Sequence, residues 1–420
     1  MDADRLKGQL PELMREYEGY KAKGLKLNMS RGKPCPRQLD LSNAMLSDAS
    51  YLDDEGNDCR NYAIKKGPCV EGIPSVRRLF AEILGVAPES VVVAGNSSLN
   101  LMFDVISGCM THGIEPHEPW CRLPSVKFIC PSPGYDRHFA ICEHFGIGMV
   151  AVPMGAGGPD MDAVEVLAAE DESVKGLWAS PKYSNPTGVT YSDATVDRLA
   201  RMKAKAGDFR IYWDNAYVAH HLYDEGRHKL KCLFKACEEA GNPERPLLFA
   251  STSKITHSGG GLSALAAGPG NLRRILRRMS MQTIGPDKTN QLRHVNFLKS
   301  AADMEALMGA HADIIRPKFR IVLDALERSL GGLGIATWSD PRGGYFVSLD
   351  TAPGCAKRVY ELALGCGVTL TKAGDTFPYG KDPNDSNIRI SPTFPDEDEL
   401  RLAMEILCVC VRVAAAERAE

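Results

Sequence analysis

Ser251-Thr252-Ser253-Lys254 follows the apolar run Leu247-Leu248-Phe249-Ala250 and precedes Ser258-Gly259-Gly260-Gly261. A lysine just past a buried strand, set among hydroxyls and then glycines, suits one chemistry well. Its amine forms a Schiff base with an aldehyde cofactor, and hydroxyls and backbone amides hold an anionic group on that cofactor. A solvated loop lysine is the plainer alternative, and four residues do not decide between the two. Partners elsewhere in the chain decide.

Pyridoxal 5'-phosphate makes specific demands on such partners. Its ring nitrogen stays protonated beside a buried carboxylate. Asp214 ends the apolar run Arg210–Trp213 and fits. The ring oxygen needs donors, which Tyr217 and Asn185 supply. Tyr135 offers a face for stacking. The phosphate needs amides and hydroxyls at a helix N-terminus, and Gly95-Asn96-Ser97-Ser98 offers them, with Ser251 and Ser253. Taken singly, Asp214 reads as a strand-end cap, Tyr135 as packing, Asn185-Pro186-Thr187-Gly188 as a turn and Ser97 as a helix cap. One cofactor accounts for all of them together.

The elements that must position these residues are legible too. Short apolar runs at Val91–Ala94, Val126–Cys130, Met149–Val152, Gly176–Ala179, Arg210–Trp213, Leu247–Ala250 and Ser263–Ala267 alternate with helix-length segments. Continuous apolar runs suit strands buried on both faces of a parallel sheet. The alternation predicts an α/β doubly wound domain, whose ligands bind beyond the carboxyl ends of the strands. Five of the seven runs end in the polar, glycine-rich or aromatic residues just named. Past residue 305 the pattern changes to a long helix, the segment Gly343–Leu349, the alternating Ile388-Arg389-Ile390-Ser391 and a closing helix from Asp396. At the other end, Leu10, Leu13, Met14 and Tyr17 recur at helical spacing, and Ser30-Arg31-Gly32-Lys33-Pro34 is an irregular basic segment.

Bulk properties exclude several classes. At 420 residues, 44% hydrophobic and 25% charged, the chain carries a large core. A net charge of −3 gives no electrostatic case for nucleic acid or an anionic membrane. Thirteen scattered cysteines, with no C-x-x-C, suit reduced thiols in a cytoplasm and no metal site. The N-terminal stretch has no apolar signal-peptide core, and no apolar run approaches the ~18 residues of a spanning helix.

The sequence resembles the fold-type I pyridoxal phosphate enzymes, specifically the class I aminotransferases. The matching motifs are Asn185-Pro186-Thr187-Gly188, Asp214-x-x-Tyr217, Ser251-x-Ser253-Lys254 and Arg389, in the family's order and spacing. Ser30–Pro34, Ser253-Lys254-Ile255-Thr256-His257, Gly285-Pro286-Asp287-Lys288 and Asn290–His294 resemble subgroup Ic of the aspartate aminotransferases. The resemblance covers nearly the whole chain. It implies a three-layer αβα large domain with a mainly parallel seven-stranded sheet over 51–304. A smaller α+β domain at 305–420 is joined by an N-terminal segment at 1–50.

The resemblance also implies roles. Lys254 carries the cofactor and later shuttles the proton, Asp214 pairs with the pyridine nitrogen, and Tyr217 and Asn185 hold the ring oxygen. Arg389 forks the substrate α-carboxylate. Tyr62 reaches the neighbouring subunit's phosphate in a homodimer with shared sites, and Gly32, beside Ser30, lies in a closing segment. Arg31, Lys33, Lys288 and Arg293 are the cations for a side-chain carboxylate, giving a preference for aspartate and glutamate with oxaloacetate and 2-oxoglutarate. One position departs: where the family has a phosphate-binding arginine eight residues after the lysine, this chain has Leu262. The alternatives are aromatic or alanine specificity, a β-lyase, or a regulator that senses the cofactor without turnover.

Overall fold

The structure, a computed structural model, describes residues 3–65 and 67–418. Domain bounds drawn at residues 1 and 420 therefore fall outside the described residues. The centre is a sheet of β1 (Val91–Ala94), β2 (Lys127–Ser132), β3 (Gly148–Gly155), β4 (Val174–Ala179), β5 (Arg210–Asp214), β6 (Pro246–Ser251) and β7 (Ser263–Ala267). Their order is β1-β7-β6-β5-β4-β2-β3, and the two-residue strand Gly158–Pro159 pairs onto the β3 edge as an eighth. β7 runs antiparallel to both neighbours, and the other pairs among the seven are parallel. The seven apolar runs of the sequence are these seven strands.

The strands are apolar throughout because both faces are covered. β4, β5 and β7 are buried at every residue. Alternate side chains feed two cores. Val91, Ile129, Leu177, Ile211 and Leu248 lie on one face, and Val92, Phe128, Trp178, Tyr212 and Phe249 on the other. Each such side chain contributes about 1.5–3 kcal/mol by leaving water. A single-residue register slip would exchange the two sets.

The segments at the two ends of the chain share a further core. Helix α1 (Ala3–Lys21) lies against the closing helix, and Leu27–Asn28 pairs in parallel with Val368–Thr369. Helices α2 (Ser98–His112), α3 (Asp136–His144) and α4 (Lys288–Phe297) flank the large sheet, while α5 (Ala301–Leu330) and α6 (Glu397–Arg418) belong to the C-terminal part. A small antiparallel sheet, β8 (Ala336–Trp338), β9 (Val347–Thr351) and β10 (Asn387–Ile390), completes it. Leu13, Tyr17, Phe319, Leu349, Ile390 and Leu407 pack in one cluster.

α5 begins at a Ser300 cap, whose hydroxyl accepts the Asp303 N–H at 3.2 Å. It runs unbroken through residue 305. Met304 and Met308 pack with Leu79, Ile255 and Leu298, and Phe319 and Val322 pack in the C-terminal cluster. One rigid helix thus ties the two parts together below the site. Among the described residues no helix is long and apolar enough to cross a membrane. All thirteen cysteines are free thiols.

Candidate active site

The carboxyl ends of β1, β2, β4, β5 and β6 lead into residues that contact one another, and the space among them is the candidate cleft. Asp214 closes β5 and is 4% exposed. Its Oδ2 lies 3.0 Å from His138 Nε2, and its Oδ1 has no hydrogen-bond partner. His138 sits on the first turn of α3, with its ring stacked on Trp178 of β4 at 4.3 Å and 5° between planes. The indole fixes the imidazole plane, and the imidazole fixes the carboxylate. A buried carboxylate oxygen left without a donor is costly. The protonated ring nitrogen of pyridoxal phosphate is the kind of donor that would satisfy it, so this residue fits the group.

Lys254 lies in the turn after β6, with Nζ 5.1 Å from the centre of the Tyr217 ring. Burial holds its amine below the ordinary lysine range. The Asp214 charge opposes that shift, and Arg389 adds to it. The backbone of this turn is braced from below. The Tyr345 hydroxyl donates to the Lys254 carbonyl at 3.3 Å, and Gln38 Nε2 donates to the Tyr345 hydroxyl at 3.0 Å.

Tyr217 is buried against Tyr345 and Phe346. Burial, then the neighbouring Tyr135, push its hydroxyl well above the usual range, so it is a neutral donor. Tyr135 caps α3 with its ring edge-on to His138 at 4.9 Å. Its hydroxyl is pushed up to about 12 by burial, then by Asp214 and Asp136, with Arg389 and Arg137 opposing.

Arg389 on β10 is 7% exposed and reaches the same cleft from the small sheet. Nε and Nη2 donate to Thr371 Oγ1 at 3.2 and 3.0 Å, and Nη1 donates to Asp136 Oδ1 at 2.9 Å and Asn185 Oδ1 at 3.2 Å. The acceptor of the Asn185 amide is thus taken, and its N–H groups are what it has left to offer. Phe346 lies under the guanidinium at 4.8 Å. A Cβ on Gly32 would overlap that Phe346 ring, and Thr371 Oγ1 donates to the Ser30 carbonyl at 2.8 Å. The N-terminal segment therefore touches Arg389 through one hydroxyl and one ring.

The residues expected at a phosphate lie at the start of α2 and in the lysine turn. Ser97 caps the helix by accepting the Leu99 N–H at 3.3 Å, and Ser98 is buried beside it. Ser253 Oγ donates to the Asn96 carbonyl at 2.8 Å, and Asn96 Nδ2 donates to the Gly259 carbonyl at 3.3 Å. Ser251 pairs with Ser263, whose hydroxyl donates to the Gly95 carbonyl at 2.8 Å. These bonds lock the lysine turn to the helix N-terminus, whose free amides suit an anion. Leu262 adds no charge. It is 1% exposed, packed into the sheet-face core, and its N–H donates to Thr252 Oγ1 at 2.9 Å.

The remaining residues singled out from the sequence lie outside this set within one chain. Tyr62 is 72% exposed and lines a surface cavity of about 480 Å³ with Arg60, Asn61, Asp287 and Lys288. Arg293 donates to the Asp48 carbonyl at 3.4 Å. Lys33 Nζ sits 3.6 Å over the Phe394 ring, and Arg31 is exposed. Sequence reasoning missed His138, Asp136, Arg137 and Thr371. The first three follow Tyr135 directly in Tyr135-Asp136-Arg137-His138, and one helical turn from Tyr135 to His138 was the available signal.

A large mixed sheet clothed in helices, with a lysine turn after its penultimate strand in chain order, is the architecture of the fold-type I aminotransferases. An aspartate transaminase structure from Corynebacterium glutamicum superposes with a TM-score of 0.96 at 42% identity, covering 100% of this chain and 98% of that one. The chain belongs to the aspartate amino-transferase family, whose family model matches residues 1–420. Among curated relatives, a Mycolicibacterium smegmatis protein with the provisional name aminotransferase is 48% identical over 421 residues, 99% of this chain and 97% of its own length. The aspartate aminotransferase of C. glutamicum is 42% identical over 420 residues, 99% of this chain and 96% of its own.

Proposed function

We propose that the protein moves an amino group between L-aspartate or L-glutamate and 2-oxoglutarate or oxaloacetate by a ping-pong course, with pyridoxal 5'-phosphate held in the cleft. The observation that carries the reading is the buried, unpartnered Oδ1 of Asp214, braced through Oδ2 by His138. When bound, the cofactor supplies an aldehyde that takes up the amino group and a ring that accepts the electron pair released at the substrate α-carbon. Asp214 keeps the ring nitrogen protonated. Tyr217 and Asn185 donate to the ring oxygen, and Tyr135 covers the ring face. Asn96, Ser97 and Ser98, with Ser251 and Ser253, take the phosphate on amides and hydroxyls.

Lys254 first anchors the cofactor. Once released, its amine would take a proton from the substrate α-carbon and hand it to the cofactor's former aldehyde carbon. The lowered basicity of this amine favours the neutral form that the step needs. Because the base is the group just displaced, it is already within reach. Arg389 holds the α-carboxylate and so fixes which bond at the α-carbon faces Lys254.

The working unit in this reading is a homodimer with shared sites. Tyr62, Lys288 and Arg293 of one subunit serve the cleft of the other, and exposed Leu52, Met281 and Ile284 supply apolar contact. Gly32 and Ser30 lie in a segment that closes over substrate. The parts at 51–304 and 305–420 are the large and small domains of this reading, and free thiols agree with a cytoplasmic setting. The test is steady-state amino transfer from aspartate to 2-oxoglutarate by the purified holoenzyme. Parallel-line double-reciprocal plots are expected, and no oxaloacetate formation would overturn the reading.

A further inference from the structure

The fork of Arg389 is already filled by the chain itself. A guanidinium has five N–H groups. One on Nε and one on Nη2 point at Thr371 Oγ1, and those on Nη1 point at Asp136 Oδ1 and Asn185 Oδ1. A carboxylate taken bidentate needs two neighbouring nitrogens. Thr371 closes the Nε–Nη2 edge. Asp136 and Asn185 close the Nη1 side of the other edge.

Of the three acceptors only Asp136 is itself a carboxylate, the chemical match of the incoming ligand. It stands on the first turn of α3, where the helix dipole favours negative charge. Its side chain is 31% exposed. It therefore has a path to water that the Arg389 guanidinium lacks.

We infer that Asp136 is an internal stand-in for the substrate α-carboxylate, and that substrate reaches Arg389 by carboxylate-for-carboxylate exchange. The inference rests on the reading of Arg389 given above. A buried guanidinium without an anion is strongly unfavourable, and Asp136 supplies that anion in the resting protein. Exchange replaces one charge-assisted bond by another, so the α-carboxylate adds little net affinity.

The charged groups around Asp136 set where it goes. Asp375 stands beside it, its carboxyl raised by burial and then by the Asp136 charge, while Lys372 and Arg389 oppose that shift. Displaced from Arg389, Asp136 is driven away from the like charge of Asp375 and toward water, to which its side chain is already open. A simple amine lacks the carboxylate that displaces Asp136 and leaves the latch shut. Asp136 is thus a positioning residue that sets substrate affinity.

The test uses the holoenzyme carrying Asp136→Asn, which keeps the acceptor oxygen and drops the charge. KM for aspartate and for 2-oxoglutarate, and the calorimetric Kd of the unreactive dicarboxylate maleate, are expected to fall about ten-fold, with kcat changing less than KM. Ten-fold is the lower end for a charge-assisted bond, as suits a partly solvated carboxylate. Asp136→Glu, which keeps the charge, is expected to hold both constants near wild type. KM or Kd rising, or staying within two-fold, in Asp136→Asn overturns the inference, because Asp136 then stays on Arg389 in the complex. Should Asp136→Asn fail to fold, Asp136→Ser carries the same expectation.

Arg389→Gln separates the two readings. If it leaves KM and the maleate Kd at wild-type values, the α-carboxylate assignment itself fails. If it weakens both, the ten-fold gain from Asp136→Asn must vanish in the double variant. A gain that survives there overturns the exchange alone.

Discussion

Asp214 turns one carboxylate oxygen to His138 Nε2 at 3.0 Å and keeps the other, equally buried, without a partner. The asymmetry has a physical cause. His138 is held by its stack on Trp178, so only one oxygen can be reached from α3. Lys254 is near enough for its amine to feel the Asp214 charge.

Removing that charge removes what keeps a pyridine nitrogen protonated. Asp214→Ala is expected to cost several kcal/mol in the barrier, on the order of ~10³-fold or more in kcat, with a smaller change in cofactor affinity. His138→Phe keeps the stack on Trp178 and loses the N–H. A charge-assisted bond contributes about 1.5–3 kcal/mol, so a ~10–150-fold loss in kcat is expected. Single-turnover absorbance kinetics on cofactor-loaded variants check both. Near-normal turnover of loaded Asp214→Ala would remove Asp214 from the mechanism.

Lys254 is expected to carry the cofactor's mass after borohydride reduction and digestion, and Lys254→Ala is expected to lose amino transfer. The pH dependence of cofactor uptake by apoenzyme adds a signed test. Only the neutral amine attacks an aldehyde, so the uptake rate rises with pH and levels off at the amine's pKa. Burial lowers that pKa, so the plateau comes below the ordinary lysine range. The Asp214 charge raises it, so Asp214→Asn moves the plateau to still lower pH. A plateau that moves up, or does not move, contradicts the proximity of these two groups. Label found on another lysine sinks the scheme.

Much of this was legible before the fold was seen. The seven apolar runs mark the strands because parallel strands buried on both faces have no polar side to confuse the signal. Asp214, Tyr217, Asn185 and Lys254 stand out because each lies at or within a few residues of the carboxyl end of such a run. What stayed hidden is what depends on contacts between distant elements. Asp136 looks like an ordinary helix-start acid until β10, more than 250 positions away, brings Arg389 to it. Thr371 carries no motif, yet one hydroxyl joins Arg389 to the Ser30 carbonyl. His138 was within reach, since its place one turn after Tyr135 puts both on one helix face. Leu262 stands where the family carries an arginine, and its burial in the core makes a charge there costly.

Tyr62 gives a test of shared sites. In one chain it stands in open solvent beside Lys288. Tyr62→Phe is expected to weaken cofactor binding ~10–150-fold, the range for a hydrogen bond to a charged group. Mixing Lys254→Ala chains with Tyr62→Phe chains gives hybrids with one fully intact site if Tyr62 acts across the dimer. At subsaturating cofactor those hybrids are expected to regain about half of wild-type activity per dimer, since one of two sites is whole. Hybrids no better than Tyr62→Phe alone would place Tyr62 in its own chain's site.

The last prediction concerns the second carboxylate of the substrate. If Arg389 takes the α-carboxylate, as proposed, discriminating aspartate from alanine requires another cation, because a buried carboxylate without a partner is costly. Five cations are candidates for the task, four from the sequence and Arg137 from its place beside Tyr135. Lys33 lies over Phe394 and Arg293 is tied to the Asp48 carbonyl, so each must leave a contact to act. Arg31 is exposed on the N-terminal segment, and Lys288 lines the Tyr62 cavity. Arg137 is exposed and its charge already reaches Tyr135, the tyrosine placed to stack on the ring. Neutralising the cation that reads the side chain removes a charge-assisted contact of about 1.5–3 kcal/mol, a ~10–150-fold loss in kcat/KM for aspartate. The same change is expected to cost alanine little, because alanine has no second carboxylate. The measurement is kcat/KM for aspartate, alanine and tyrosine in wild type and in single neutralisations of Arg31, Lys33, Arg137, Lys288 and Arg293. A wild type that uses alanine or tyrosine as well as aspartate would defeat the dicarboxylate preference, and so would a panel in which no variant loses aspartate selectively.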